Sequence, residues 1–372
     1  MRKRLLFYCQ PVLGIGHYIR SRAIVRALRD FDVCFVNGGE IVRGLEMPSE
    51  VEVVNLPALK SDAEFQQLQL SKSDFNLDEV KAQRTQQLLA TYDRLKPEVV
   101  VIELFPFGRR KFDFELLPLL EAIQSPTKVV CSLRDILVSK RQQEQFEQEA
   151  CTLMNRYFDL LLIHSDPNFQ RLEETFPRVP DLTCDVRYTG FVVQSRPLSE
   201  QKQNDVPRLL VSIGGGRVGH DLIDCAIAAS GLLTRRHHLH IVTGPHCPAE
   251  IFAQWQQRLA EQPIITIERF TPDFPALLQQ ADLSISMAGY NTCMDILSAG
   301  VRAILYPFTG NNNQEQMMRA RKLEQLGRVR LIQQLDPARL AEAITQSLQT
   351  PVPPVTIDMN GATTSARLLA AL

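Results

Sequence analysis

Short apolar runs alternate along this chain with longer segments whose apolar residues recur at helical spacing, and Gly and Pro punctuate the joins. In the first half, Leu5 to Cys9, Val33 to Val36, Val51 to Val54, Glu98 to Ile102, Val129 to Leu133, Leu160 to Ile163 and Arg187 to Thr189 predict strands. In the second, Leu209 to Ile213, Ile241 to Thr243, Ile264 to Ile267, Leu283 to Ser286 and a run ending near Pro307 do the same. Helical spacing links Ile19, Ala23, Ile24, Ala27 and Leu28, then Leu77, Val80, Leu88, Leu89 and Leu95 within a polar, mostly helical stretch from Lys60 to Lys96. Residues Asp336 to Leu348 and Thr363 to Leu372 are further helices. Strand and helix in alternation predict an α/β protein with doubly wound, Rossmann-like sheets. A chain of 372 residues is too long for one ordinary core. The stretch 191–207, polar with two prolines and no periodicity, reads as a linker between a domain at 1–190 and a second at 208–350.

The richest stretch is Ala281 to Gln316, which reads as strand, tight turn, helix, strand and a polar loop opening another helix. Gly289 lets the backbone turn, and Asn291 or Thr292 can cap the helix that follows Tyr290. A helix start offers N–H groups and the positive end of a dipole, so a phosphate or diphosphate is the natural ligand, with Thr292 adding a hydroxyl. Asp295, almost a turn further on, repels phosphate but accepts well from a diol such as a ribose. The run Asn311, Asn312, Asn313, Gln314, Glu315 and Gln316 suits sugar hydroxyls at a strand's C-terminal end. A solvated helix start is its plainer reading. Gly214, Gly215, Gly216 and Gly219, with Arg217 among them, form a second Gly loop after a strand. Its backbone can approach a ligand closely, and no Lys followed by Ser or Thr makes it a P-loop.

Near the amino terminus, Gly14 and Gly16 precede His17 and Arg20. That places a titratable imidazole at a helix start, one turn from a guanidinium suited to phosphate or carboxylate. A His that merely caps the helix is the alternative. The strand ending at Ile102 empties into Glu103, Phe105, Arg109, Arg110 and Lys111, where cations at a helix start oppose the dipole and imply some other benefit. They suit a phosphorylated or carboxylated acceptor or an anionic lipid surface; a solvated basic helix start with Phe105 and Phe107 in the core is the rival. Arg134 and Asp135 open the loop after the next strand. The consecutive His164, Ser165 and Asp166 cannot be a hydrolytic triad, because triads converge from separate elements. Neither His238 with His240 nor Asp30 with Asp32 has the further ligands a metal site needs, so no metal is expected.

Gly289, Thr292, Asp295, the Ala299–Gly300 pair, Glu315 and Gln316 together resemble the nucleotide-sugar-binding half of GT-B glycosyltransferases, in particular the family of the UDP-GlcNAc transferase that makes lipid II. The Gly-x-Gly-His loop resembles the acceptor-side loop of the same enzymes and also nucleotide-sugar hydrolases of pseudaminic acid synthesis. The segment FPFGRR resembles a group of bacterial proteins predicted to be glycosyltransferases. The resemblance implies two domains facing across a cleft, with a terminal helix at 357–372 packing back on the first. It implies that Thr292 touches the donor diphosphate, Asp295 the ribose, Glu315 and Gln316 the sugar, and that Phe270 and Thr271 hold the base. It implies that Gly214 to Gly216 contact the diphosphate, and that His17 works at the reacting centre on an acceptor hydroxyl without a cofactor. Two departures stand out: Asp295 where the family usually has Glu, and Glu315 where the lipid II enzyme has Gln. Rival readings are a nucleotide-sugar hydrolase with the same cradle, or a non-catalytic sugar-nucleotide-binding protein.

Composition changes this picture little: 45% hydrophobic and 22% charged residues are ordinary for a globular protein. A net charge of −1 gives no global pull toward nucleic acid, leaving Arg109, Arg110 and Lys111 as the place for a peripheral membrane contact. Eight cysteines without CxxC spacing point to a reducing cytoplasm. The opening MRKRLLFYC is too short in apolar residues for a signal peptide or membrane span.

Overall fold

The computed structural model describes residues 2–12, 14–42, 44–61, 68–70, 76–194, 205–310, 314–354 and 356–372. The chain divides into two compact units, one of Met1–Val193 with Ile357–Leu372, the other of Gln194–Thr356. In the first, the order is β1 (Lys3–Cys9), α1 (Gly16–Ala27), β2 (Phe31–Asn37), β3 (Glu52–Asn55), β4 (Leu59–Ser61), β5 (Leu68–Leu70), α2 (Leu77–Leu95), β6 (Val99–Glu103), α3 (Asp113–Ala122), β7 (Lys128–Arg134), α4 (Gln143–Tyr157), β8 (Leu160–His164) and β9 (Asp185–Tyr188). In the second it is β10 (Arg208–Ser212), α5 (His220–Ser230), β11 (His238–Val242), α6 (Ala249–Leu259), β12 (Ile265–Glu268), α7 (Phe274–Gln280), β13 (Leu283–Ser286), α8 (Tyr290–Ala299), β14 (Arg302–Leu305), α9 (Glu315–Gln325), β15 (Arg330–Leu331) and α10 (Pro337–Gln349). Helix α11 (Gly361–Ala370) returns to the first unit.

Each unit is built on a parallel sheet, ordered β3-β2-β1-β6-β7-β8-β9 in the first and β12-β11-β10-β13-β14-β15 in the second. The central strands are apolar throughout because both faces are covered: every residue of β6, VVVIE, is buried, the glutamate included. In both sheets the strand order reverses once, between β1 and β6 and between β10 and β13. Loops diverge to opposite faces at such a point and leave a crevice beyond the strands' carboxyl ends.

Local sequence explains most of the helix ends. Asn76 and Glu79 form a reciprocal capping box on α2, Asp336 caps α10 with Pro337 in its first turn, and Gly300 ends α8 at φ 65°. The stretch from Lys60 departs from its helical expectation: α2 begins only at Leu77, and β4 pairs antiparallel with β5 before it. Helix α11 lays Leu369 beside Ile24, Val25 and Leu28 in the core that covers one face of the first sheet. Its seat is tight, since a Cβ on Gly361 would lie 2.4 Å from the Gly190 carbonyl oxygen.

Candidate active site

At the crevice of the first sheet, the loop after β1 delivers His17 and the end of β6 delivers Glu103. β1 and β6 lie side by side in register from Leu5 with Val99 to Tyr8 with Ile102, which brings these two residues together although 86 positions separate them. His17 Nδ1 is 2.6 Å from Glu103 Oε1, and Arg20, one turn along α1, donates to the same oxygen. Glu103 and Arg20 are buried, whereas a fifth of the imidazole is exposed. Burial would raise the Glu103 carboxyl, but His17, Arg20 and Arg109 more than offset it and hold it well below the usual range. Burial, helped by Arg109 and Arg20 against the pull of Glu103, lowers His17 to about 4. The pair is therefore neutral imidazole with ionised carboxylate at neutral pH. A carboxylate has no proton to give, so Nδ1 carries it and Nε2 is left as an accepting lone pair. That is the constitution of a general base held by an acid in one tautomer.

The structure divides the remaining acceptor-side candidates. His17 does not cap α1; Ile15 holds that position, without a side-chain bond. Gly16 opens α1, and a side chain on Gly14 would meet nothing within 4 Å, so the loop there has room beside it. Arg20, expected to meet a ligand anion, donates instead to Glu103, because a buried carboxylate needs a cation more than a solvated phosphate does. Phe105 is fully buried and belongs to the core, as does Phe107. Arg110 is taken up by Asp113 at 3.6 Å and Glu149 at 3.3 Å and lies over the Phe105 ring, whereas the charge of Arg109 acts on Glu103. Arg134 ends β7 half-buried, and Asp135 beside it is fully buried.

The second crevice gathers the donor-side candidates. Ser212 at the end of β10 pairs with Ser286 at the end of β13, so the loop from Gly214 and the turn at Gly289 leave neighbouring strands. They touch: a Cβ on Gly219 would lie 2.4 Å from Met287 Sδ. Gly214 is exposed, Gly215 and Arg217 are half-buried, and Arg217 Nε is buried without a hydrogen-bond partner. Helix α8 starts at Tyr290 with Gly289 as N-cap and no side-chain capping bond. Asn291 and Thr292 therefore lie inside the first turn rather than capping it, because Gly289 already has the extended backbone of a cap, φ −64° and ψ 151°. Asp295 is buried within α8, and burial alone pushes its carboxyl up to about 7. Phe270 and Thr271 lie half-buried between β12 and α7, the Thr271 hydroxyl accepting from Asp273 N at 3.2 Å.

Glu315 and Gln316 do something the sequence did not suggest. Gln316 Oε1 accepts from the backbone N–H of Ala288 and of Phe308, both at 3.0 Å, and Arg319 donates to the Ala288 carbonyl at 2.8 Å. The first turns of α9 thus hold both backbone polar groups of Ala288, the residue before Gly289. Glu315 is paired with Arg319 at 2.9 Å. The i, i+4 spacing of Glu315 and Arg319 was a readable signal for that pair; the reach of Gln316 to two backbone donors on other elements was not. Asn311, Asn312 and Asn313 lie outside the described residues. Among the described residues no group of three or more His, Cys, Asp or Glu gathers as a metal site would, and no helix is long and apolar enough to cross a membrane. All eight cysteines are free thiols.

Two parallel sheets with these strand orders define a GT-B protein. Solved structures agree on the fold: the MurG of Acinetobacter baumannii matches over the whole of both chains at 16% identity and a TM-score of 0.58. Arabidopsis thaliana UGT89C1 complexed with UDP covers all of this chain, with 94% of its own length, at 12% identity and a TM-score of 0.64. Residues 210–368 match the glycosyltransferase family 28 C-terminal domain. The same similarity extends to the UDP-N-acetylglucosamine–N-acetylmuramyl-(pentapeptide) pyrophosphoryl-undecaprenol N-acetylglucosamine transferases of Prochlorococcus marinus (strain MIT 9211), 32% identical over 142 residues, and of Synechococcus sp. (strain CC9311), 31% over 145. The first match covers 36% of this chain and 37% of its relative, the second 37% of each, so the chain spans little more than a third of the relatives' length. The chain thus resembles the lipid II UDP-GlcNAc transferase family within the GT-B class.

Proposed function

We propose that this chain is a glycosyltransferase that moves a sugar from a nucleoside diphosphate, UDP in the first instance, to a hydroxyl of an acceptor. One observation carries the reading: in the unit that matches family 28, the Gly214–Gly219 loop and the turn into α8 leave adjacent strands at the reversal of the sheet and touch. A diphosphate seated there meets helix N–H groups, the α8 dipole and Arg217, which together take the charge that develops on the leaving group, so the step as written needs no metal ion. Asp295, buried without a compensating charge, accepts from the ribose diol. His17 Nε2 takes the proton of the acceptor hydroxyl, and Glu103 and Arg20 fix the ring. The hydroxyl oxygen then bonds to the anomeric carbon as the bond to the diphosphate breaks.

Calorimetry with UDP-, GDP- and dTDP-sugars, followed by turnover assays, tests this. Asp295→Ala is expected to weaken nucleotide binding by roughly 1.5–3 kcal/mol, and His17→Ala to lower turnover by about 10²- to 10⁴-fold with donor affinity unchanged. Wild-type protein that binds none of these donors would remove the proposal. Release of free sugar from bound donor at the full rate, with no acceptor present, would replace transfer by hydrolysis.

A further inference from the structure

A loop as rich in glycine as Gly214–Gly219 has many backbone conformations open to it, yet two of its carbonyls are tied down. His220, the first residue of α5, turns its ring back on the loop and places Nε2 2.9 Å from the Gly216 carbonyl oxygen. A carbonyl has no proton to give, so Nε2 carries one and donates it. This is no helix cap: Gly219 holds that position without a side-chain bond, and a capping side chain accepts where His220 donates. The ring is itself held, packed edge-on to Trp255 with 5.8 Å between centres, and Trp255 Nε1 is fixed at 2.9 Å by Asp224, one turn along α5. The preceding carbonyl, that of Gly215, accepts from the backbone N–H of His246 at 3.0 Å. Only glycine lets the loop lie so close there, since at φ 90° a Cβ on Gly216 would fall 2.5 Å from the Thr243 carbonyl oxygen and 2.7 Å from Cys247 N. In a trans peptide the C=O and the next N–H point in opposite directions. Anchoring the Gly215 and Gly216 carbonyls therefore turns the N–H groups of Gly216 and Arg217 away from the residues that anchor them. Among the described residues neither N–H has an acceptor. Arg217 Nε is buried without a partner, and a Cβ on Gly214 would meet nothing within 4 Å, so the loop has unmet donors and open space together.

We propose that His220 is a positioning residue for the nucleotide: by holding the Gly216 carbonyl against α5, it fixes the peptide whose Arg217 N–H, together with that of Gly216, binds the diphosphate. The identity of that ligand rests on the transferase reading. Successive N–H groups held in this way make a concave anion site. Without the tie, a loop of glycines is free to rotate the peptide and present its carbonyl oxygen, which repels phosphate. Fixing it before the nucleotide arrives removes that ordering cost from the binding step. His220 acts through Gly216 rather than by touching the nucleotide, and its effect belongs to the phosphates, not to the base or the ribose.

The experiment is titration of the full chain with UDP by calorimetry and with uridine by ligand-observed NMR. His220→Phe keeps a ring against Trp255 and removes the N–H; His220→Gln keeps a side-chain N–H. UDP binding weakened roughly five- to thirtyfold in His220→Phe and less in His220→Gln, with uridine affinity unchanged in both, is the expected result. The wild type supplies an independent reading, in which UDP slows hydrogen exchange at the Arg217 amide and uridine does not. Equal UDP affinity in wild type and His220→Phe, an equal loss for UDP and uridine, or Arg217 exchange that UDP leaves unchanged overturns the proposal. Failure of the wild type to bind UDP would sink the transferase reading and this proposal with it, whereas UDP binding that does not depend on His220 would sink this one alone.

Discussion

As the proposed base, His17 gains availability and gives up strength. Lowered to about 4, it is neutral throughout the physiological range, so none of the enzyme is lost to the imidazolium form, while its intrinsic pull on a proton is weak. Glu103 supplies the difference, since a carboxylate on Nδ1 stabilises the ring as it becomes charged in the transition state. The direction of the pH effect follows. Protonation removes the base, so turnover should stay level as pH falls from 7 and drop only as it passes through about 4, well below the point where an ordinary histidine would fail. Glu103→Gln takes away the group that opposes the lowering by burial and Arg20, and with it the tautomer; turnover should fall by roughly 10²- to 10⁴-fold with donor affinity unchanged. A pH–rate profile of both proteins at saturating donor checks this, and an acid limb near 6.5 in the wild type would show that His17 titrates as an ordinary histidine and is not lowered by burial. At this scale the sequence was informative about identity and silent about partnership. His17 was legible because glycines flank it after the first strand; that Glu103 is its partner depends on β1 lying beside β6. Arg109 and Arg110 were indistinguishable as neighbours in a basic run, and only the folded chain pairs Arg110 with Asp113 and Glu149 while Arg109 takes a left-handed backbone.

Among elements, α8 and α9 work as a pair. The turn before α8 would be poorly defined by its own sequence, Met287-Ala288-Gly289, which has no side chain able to bond its backbone. Gln316 and Arg319 from α9 take both polar groups of Ala288 and so set the direction from which α8 begins. At Gln316 the polar run, read in the sequence as a sugar-binding loop, also braces the turn before α8. Helix α11 makes a comparable point in the other unit. Its apolar residues Leu368 and Leu369 with Ala362 and Ala366 were readable as a helical stripe, but its packing against α1 is decided by close backbone contact at Gly361. Gly361→Ala should destabilise the N-terminal unit by about 1–3 kcal/mol, the usual cost of forcing a methyl group into an already filled contact. Urea denaturation followed by near-UV circular dichroism measures it; an unchanged midpoint would show that the α11 seat is loose.

For the whole chain, the expectation is of two units that respond differently to the same ligand. Each has its own sheet and its own core, so thermal unfolding should show two transitions rather than one. A nucleotide held by the Gly214 loop and α8 stabilises the unit that contains them; at a hundredfold excess over its Kd the gain is about 2.7 kcal/mol. Differential scanning calorimetry with UDP should therefore raise one transition and leave the other in place, and Asp295→Ala should shrink that rise. An equal shift of both transitions would contradict the assignment of the nucleotide to one unit.

The strands, most helices and the three glycine-bearing turns were fixed by local chemistry, in which apolar runs demand burial on both faces and glycine permits the tight joins after β1, β10 and β13. Such signals act within a few residues and survive any tertiary arrangement. Which carboxylate meets His17, which arginine of the basic run is spent on an ion pair, and what Gln316 braces were decided only when strands distant in sequence paired in register. Those contacts join residues tens of positions apart, and no local pattern encodes a distance that only the order of strands in a sheet creates.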